Sequence, residues 1–418
     1  MRRRFAPVFA LALATLVACG ATPPSGAPTA GASSAAVAPT ASGATPRPTA
    51  EPSPKPAWQD ASVEHPAAVN GFASQPPGYF CDPCHNLSED NLFGVGPVRG
   101  GFLAVGAVTP PASAVALWSA DGRAWTPVTG FAPDNGSAAV AVANAGGRTV
   151  LVGHDPTGAI AWAGDVRSGF GRAPLQASLQ VRYAAGGMTV VVPLGTGFVA
   201  AGYRDDPSRA LAEAAVWRSA DGLHWTLDAA GDAFRGGRIL GLVAQGNALV
   251  AVGTRGEQIR GPAAAWRWTA STGWQSATVP PGGGAMRAVA TTPHGLVAVG
   301  IDAADSGAMA WTSPDGSTWT AVADQPAFHF YDLPVRLQAL TAVGDRLVAA
   351  GWRSDPGKGS SVIVTSQDGL AWQQLSWQAS FSGGQIDGLA SAGTTVVAVG
   401  RVGYPDTNTA AVWVRDWP

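Results

Sequence analysis

The chain has 418 residues, 46% of them apolar and 13% charged, with a formal net charge of −2. That balance gives no strong electrostatic case for binding nucleic acid. Lysine occurs only at Lys55 and Lys358, a compositional habit, whereas 16 tryptophans fall at regular places.

The first element is "MRRRFAPVFALALATLVACG": three arginines, an apolar stretch from Phe5 to Ala18, then Cys19. This is the charged and apolar order of a secretory signal, too short for a membrane span of roughly 20 apolar residues. Its end, "LVAC" at Leu16 to Cys19, resembles the lipobox of bacterial lipoproteins. The resemblance implies cleavage before Cys19, lipid on its thiol, and an extracytoplasmic protein attached to the membrane through that anchor. The alternative is an ordinary signal peptide cleaved nearby. Residues 20–57 are mostly Pro, Ala, Ser, Thr and Gly, which bury too little surface to offset the entropy of ordering and read as a tether. The expected organisation is therefore a signal over 1–18, an anchor and tether over 19–57, and a folded region over 58–418.

"AWQDASV", Ala57 to Val63, reads as a strand standing alone. An insertion over 71–90 follows and carries "CDPCH", Cys81 to His85. Cys-x-x-Cys-His is the attachment motif of c-type haem. Covalent haem also needs an apolar pocket and usually a second axial ligand, and Met188, Met286 and Met309 all fall in predicted strands. A structural disulfide between Cys81 and Cys84, in an oxidising compartment, is the expectation, with metal or redox use and haem as alternatives. No cofactor and no metal is expected.

From Phe102 onward one apolar run ending in glycine recurs seven times, at Gly106, Gly153, Gly202, Gly253, Gly300, Gly351 and Gly400, in steps of 47 to 51 residues. No segment carries a helical apolar period. Each unit offers four short strands rich in Val, Ala, Leu, Thr and Trp, bounded by Gly, Asp and Pro. Seven such units predict an all-β, seven-bladed β-propeller of four-stranded blades. The last unit lacks its fourth strand, so Ala57–Val63, with Trp58 at the repeat-tryptophan position, is predicted to complete the final blade and close the ring.

Between the third and fourth strands lie "SADGRAW" (Ser119 to Trp125), "SADGLHW" (Ser219 to Trp225), "SPDGSTW" (Ser313 to Trp319) and "SQDGLAW" (Ser366 to Trp372). Asp and Gly tolerate positive φ, and the Ser and Asp side chains can bond the turn's own backbone. Each tryptophan is expected to pack on the neighbouring blade; Trp274 and Phe170 take that place in the two divergent units. The turns resemble the Asp-box, or BNR repeat, of sialidase-like propellers, Ser-x-Asp-x-Gly-x-x-Trp, with one residue fewer between Asp and Gly. The resemblance implies a propeller scaffold. A sialidase would add an arginine clamp, a Tyr nucleophile assisted by Glu, and an Asp acid. Tyr203, Tyr404, Glu257, Asp205 and Asp206 are at hand, but no motif fixes a role for any of them.

Loops between the second and third strands of each blade share one face with the connections between blades. Arg204, Arg255 and Arg353 each stand two residues after a repeat glycine, and Arg401 stands one after. With Tyr203, Glu257 and Tyr404 they form the candidate ligand site, where arginine forks suit a carboxylate; loop arginines beside Asp205 and Asp355 fit a merely solvated face equally well. The functional expectation is a surface-tethered, non-enzymatic, monomeric module that binds a glycan or a cell-surface protein, with a sialidase-like glycoside hydrolase as the alternative.

Overall fold

The seven apolar runs become the second strands of seven antiparallel sheets, and their composition explains why. In Ala248–Arg255 every residue up to Thr254 is buried on both faces of the sheet. A strand sandwiched between two neighbouring blades has no solvent face, so it reads as an unbroken apolar run. Innermost strands such as Gly384–Ala392 alternate buried and half-buried positions instead, because one face packs on a blade and the other looks onto the central channel.

The computed structural model describes residues 59–60, 62–63, 90–108, 113–180, 186–206, 211–228, 231–256, 261–330, 333–355, 358–375, 381–403 and 408–417. The expected signal peptide, tether, Cys19, Trp58, Cys81, Cys84, Glu257 and Tyr404 fall outside them. Lys55–Pro418 is one compact unit.

In each of the seven sheets the strands of one repeat run from inner to outer in chain order. The innermost strands are Asn91–Val98, Ala138–Ala145, Gly186–Leu194, Gly237–Gln245, Gly283–Thr292, Val335–Val343 and Gly384–Ala392. The seventh blade takes its outer strand from the other end of the chain: Gln59 pairs with Val414 and Asp60 with Trp413, antiparallel. The fold is thus the predicted seven-bladed propeller, closed by an N-terminal strand. One feature was not expected: Ser62 and Val63 continue onto the outer strand of the first blade, in parallel with Ala124 and Trp125. Four residues near the N-terminus therefore touch the last blade and the first.

Blades are held together by tryptophan. Trp125 packs among Val397, Val399 and Val414 of the seventh blade, Trp225 among residues of the second, and Trp372 among residues of the fifth. Each lies against the preceding blade, and Phe170 does the same in the second unit. Their indole N–H groups bond inside the turn, Trp125 to the Gly122 carbonyl at 2.8 Å and Trp225 to that of Gly222 at 2.9 Å. A second set, on the third strands, goes with them: Trp162, Trp217, Trp266, Trp311 and Trp413 are fully buried.

The Ser-x-Asp-Gly turns close as their side chains allow. Ser119 Oγ accepts from Gly122 N at 2.9 Å, and Asp121 Oδ1 accepts from Arg123 N at 2.9 Å. Only the glycine takes positive φ, for example +75° at Gly369, whereas the turn aspartates do not; among the described residues Asp305 alone does so without being glycine. Gly369 also wedges into the preceding blade, where a Cβ would stand 2.5 Å from Val297 Cγ2.

Candidate functional site

The repeat glycines lead to the channel. Each second-strand glycine pairs with an inner-strand residue, and directly after that partner the register slips by one, a β-bulge in all seven blades. The bulge crowds the glycine: a Cβ at Gly253 would stand 1.9 Å from the Arg238 carbonyl oxygen, and one at Gly400 would stand 1.9 Å from that of Gln385. Bulges re-aim side chains. Here they present one residue per blade in a ring: Phe93, Val140, Thr189, Leu240, Arg287, Gln338 and Asp387.

The ring is two-sided. Its first four members are apolar but for the Thr189 hydroxyl, which donates to the Ile239 carbonyl at 2.7 Å. The last three are a cation, an amide and a carboxylate on adjacent blades. Six of the seven line a cavity of about 280 Å³ inside the channel. Asp387, the seventh, is reached through Gln338, whose Nε2 donates to Asp387 Oδ1 at 3.1 Å.

Asp387 collects amide donors from three blades. Besides Gln338 of the sixth, Gln385 Nε2 of its own blade donates to Oδ1 at 2.7 Å, and Asn91 Nδ2 of the first donates to Oδ2 at 3.0 Å. Desolvation pushes the Asp387 carboxyl above the usual carboxylate range, against the amide hydrogen bonds and the nearby Arg401 and Arg287 charges, which act the other way. Asn91 is 5% exposed, and its Oδ1 is a buried acceptor with no partner among the described residues.

Above the ring, at the end of the channel where the inner strands begin, lies a belt of arginines and aromatic rings. Arg336 grips Asp305 with two bonds of 2.6 and 2.7 Å and lies 4.6 Å from the centre of the Trp352 ring. Arg238 donates to the Gly256 carbonyl at 3.1 Å and faces the Tyr203 ring at 5.4 Å. Arg353, 6% exposed, stacks 3.3 Å from the centre of the Phe330 ring.

The sequence-predicted arginines divide. Arg204, Arg255 and Arg353 stand at one register position, opposite Gly186, Gly237 and Val335. Each is engaged locally: Arg204 with Glu213 at 3.1 Å, Arg255 with the Ala233 carbonyl at 2.9 Å, and Arg353 with Phe330. Arg401 stands one residue nearer its glycine, opposite Gln385, so it leaves the other face of its blade. Its Nη2 donates to Gln385 Oε1 at 3.1 Å, which joins it to the Asp387 cluster. Four arginines do not converge as one clamp; Arg401 alone reaches the channel network, and Tyr203 meets Arg238. Sequence reasoning missed Asn91, Arg238, Arg287, Gln338 and Asp387, although a signal was there: every ring residue stands thirteen positions before its repeat glycine.

No family model matches the chain, and no curated protein matches its sequence. Solved structures do match. A YCF48 structure bound to D1 peptide superposes with a TM-score of 0.50 at 14% identity, covering 80% of this chain and 94% of that one. Puromycin hydrolase (the S511A mutant complexed with PGG) gives 0.50 at 14% identity, covering 75% of this chain and 50% of that one. A phage phi92 endosialidase gives 0.46 at 10% identity, covering 80% and 68%. At these identities the likeness is one of fold: the chain is a β-propeller, an architecture that hosts unrelated activities.

Proposed function

We propose that this chain is an extracytoplasmic, lipid-anchored propeller that binds a ligand at the mouth of its channel and is not an enzyme. The observation that carries the reading is the two-sided ring. Six of the seven equivalent bulge positions line one channel cavity, and Arg287 and Gln338 stand there on adjacent blades where apolar side chains fill others, with Asp387 bonded to Gln338. A contiguous polar arc among otherwise apolar bulge positions, on the wall of the channel, supports reading it as a recognition surface. The leader, the Cys19 lipobox and the 20–57 tether support placement at a membrane surface outside the cytoplasm; the near-neutral charge supports a partner other than nucleic acid. The YCF48 structure holds a peptide, which makes polypeptide a reasonable probe beside glycans.

The test is an array of acidic, basic and neutral peptides and of anionic and neutral glycans, probed with the full chain, with a fluorogenic sialoside incubated alongside. Binding without turnover is expected. Sialoside turnover abolished by Tyr203→Phe would replace this reading with that of a glycoside hydrolase.

A further inference from the structure

Resting on the reading of the chain as lipid-anchored, we infer that the end of the propeller opposite the channel mouth binds the phosphate group of an anionic phospholipid through Arg346 and Arg415. This end then faces the membrane and the mouth faces away from it. Arg346 closes the hairpin after the inner strand Val335–Val343 of the sixth blade, and Arg415 stands near the end of the third strand, Thr409–Asp416, of the seventh. Their guanidinium groups lie 5.9 and 4.2 Å from the centre of one indole ring, that of Trp417. That ring is itself fixed. Trp417 is 8% exposed, packs in one cluster with Val343 and Val348, and donates its backbone N–H to the Thr394 carbonyl at 2.7 Å.

Two cations held on one ring repel each other, and no acid among the described residues compensates them. Neither guanidinium makes a hydrogen bond or an ion pair to a described residue, and Arg415 Nε is buried without an acceptor among them. Desolvation, and after it the Arg346 charge, lowers the Arg415 pKa. The carboxylate next in sequence, Asp416, is already taken by Arg123 at 2.5 Å and by the Thr395 hydroxyl at 2.7 Å. Other arginines of the propeller do have acids, as in Arg172 with Asp155, Arg218 with Asp228 and Arg336 with Asp305. A phosphate group offers acceptors to both forks and turns their repulsion into a shared attraction.

The path of the chain favours a lipid phosphate over a free one. Gln59 pairs with Val414, one residue short of Arg415, and Asp60 pairs with Trp413. The closing strand therefore runs away from the arginine pair, and the chain before it, which carries the 20–57 segment and Cys19, joins the propeller at this end. A lipid on Cys19 keeps headgroups at high effective concentration beside the pair, and arginines near an anionic surface add to attachment.

The experiment is sedimentation of the full chain with vesicles of phosphatidylcholine alone and of equal parts phosphatidylcholine and phosphatidylglycerol. The leader is common to all variants, so the comparison between them isolates the pair. Arg346→Gln with Arg415→Gln is expected to weaken partition onto the anionic vesicles about tenfold and to leave partition onto the neutral ones unchanged. Arg148→Gln with Arg167→Gln removes two exposed charges from the same end and is expected to change neither. Arg346→Gln alone, with a smaller loss expected, serves if the double variant does not fold. Equal losses in the two double variants, or no loss in the first, overturn the inference. Inorganic phosphate is titrated alongside: phosphate binding that the first double variant abolishes, with its vesicle partition unchanged, would assign the pair to a free anion and overturn the lipid assignment. Mass spectrometry of Cys19 after expression in a lipid-modifying host tests the anchor separately. An unmodified Cys19 with the expected vesicle result removes the anchor and keeps the arginine site; a lipidated Cys19 with no vesicle effect does the reverse.

Discussion

Asn91 and Asp387 are 296 residues apart in the chain, yet they share a hydrogen bond of 3.0 Å across the seam where the first and last blades meet. On the outside the same seam is closed by Gln59 and Asp60 on the seventh blade and by Ser62 and Val63 on the first. The ring is therefore fastened twice, by backbone pairing at its rim and by a side-chain bond in its channel. Gln338 extends the inner fastening to the sixth blade.

The inner fastening predicts a pH dependence. Asp387 has its carboxyl pushed up in the folded protein, so the folded state holds this proton more tightly than the unfolded chain. Its contribution to stability is full below the ordinary carboxylate pKa and is lost as pH rises through the raised value. Asp387→Asn removes that titration, and the Asn91 amide can turn to offer its Oδ1 to the new donor. The stability difference between wild type and Asp387→Asn, followed by chemical denaturation across pH, should favour wild type at acid pH and shift toward the variant at neutral pH. A difference that does not change with pH would show that the charge is compensated.

The rim fastening predicts a sharp boundary for truncation. Removing residues 1–54 leaves the compact unit that begins at Lys55 and should not move the melting temperature. Removing residues 1–63 strips the strand paired with Trp413 and Val414 and leaves a bare, apolar edge. A fall in melting temperature and aggregation during heating are expected for the second truncation alone. Equal behaviour of the two would mean that the closing strand carries no stability.

Gly369 and Gly344 separate backbone strain from blade packing. Both take positive φ, +75° and +58°, but a Cβ at Gly369 meets Val297 at 2.5 Å whereas one at Gly344 meets nothing within 4 Å. Gly344→Ala should cost about 1–2 kcal/mol, the penalty of a left-handed conformation. Gly369→Ala should cost about 1–3 kcal/mol more, from overpacking the interface. Urea unfolding of the pair measures the gap, and no gap would mean that the blades yield freely.

The buried third-strand tryptophans predict a ranking. Trp217 is fully buried and donates to the Ser178 carbonyl at 2.7 Å. Trp217→Ala should cost about 3–5 kcal/mol, and Trp217→Phe about 1–3 kcal/mol, chiefly through the carbonyl left unpaired. Trp268 is only half-buried, and its alanine variant should cost less than either. Thermal unfolding of the three variants gives the order.

The blades were legible because their determinants are local. An unbroken Val, Ala and Leu run, a Ser-x-Asp-Gly turn and a following Trp each follow from strand sandwiching or turn chemistry within a few residues, and their repetition gave the number of blades. The missing fourth strand exposed the closure in the same way. Contacts between blades were not legible. The meeting of Gln338, Asp387 and Asn91 depends on ring closure, which brings the first blade beside the seventh, and on a bulge that turns one residue per blade toward the channel. The arginine reading erred for a related reason: Arg401 is one residue out of step with Arg204, Arg255 and Arg353, and in a strand one residue is the other face.

The measurement that bears most directly on the account is binding of array-selected peptide or glycan probes to two paired variants. Arg204→Ala with Arg401→Ala alters the face at which the channel opens beside the arginine belt. Arg123→Ala with Arg148→Ala alters the opposite face, where Arg123 pairs with Asp416 and Arg148 donates to the Asp221 carbonyl. Loss of binding in the first pair with retention in the second is the predicted result. Loss in the second pair with retention in the first would place the ligand on the other side of the propeller and contradict the account.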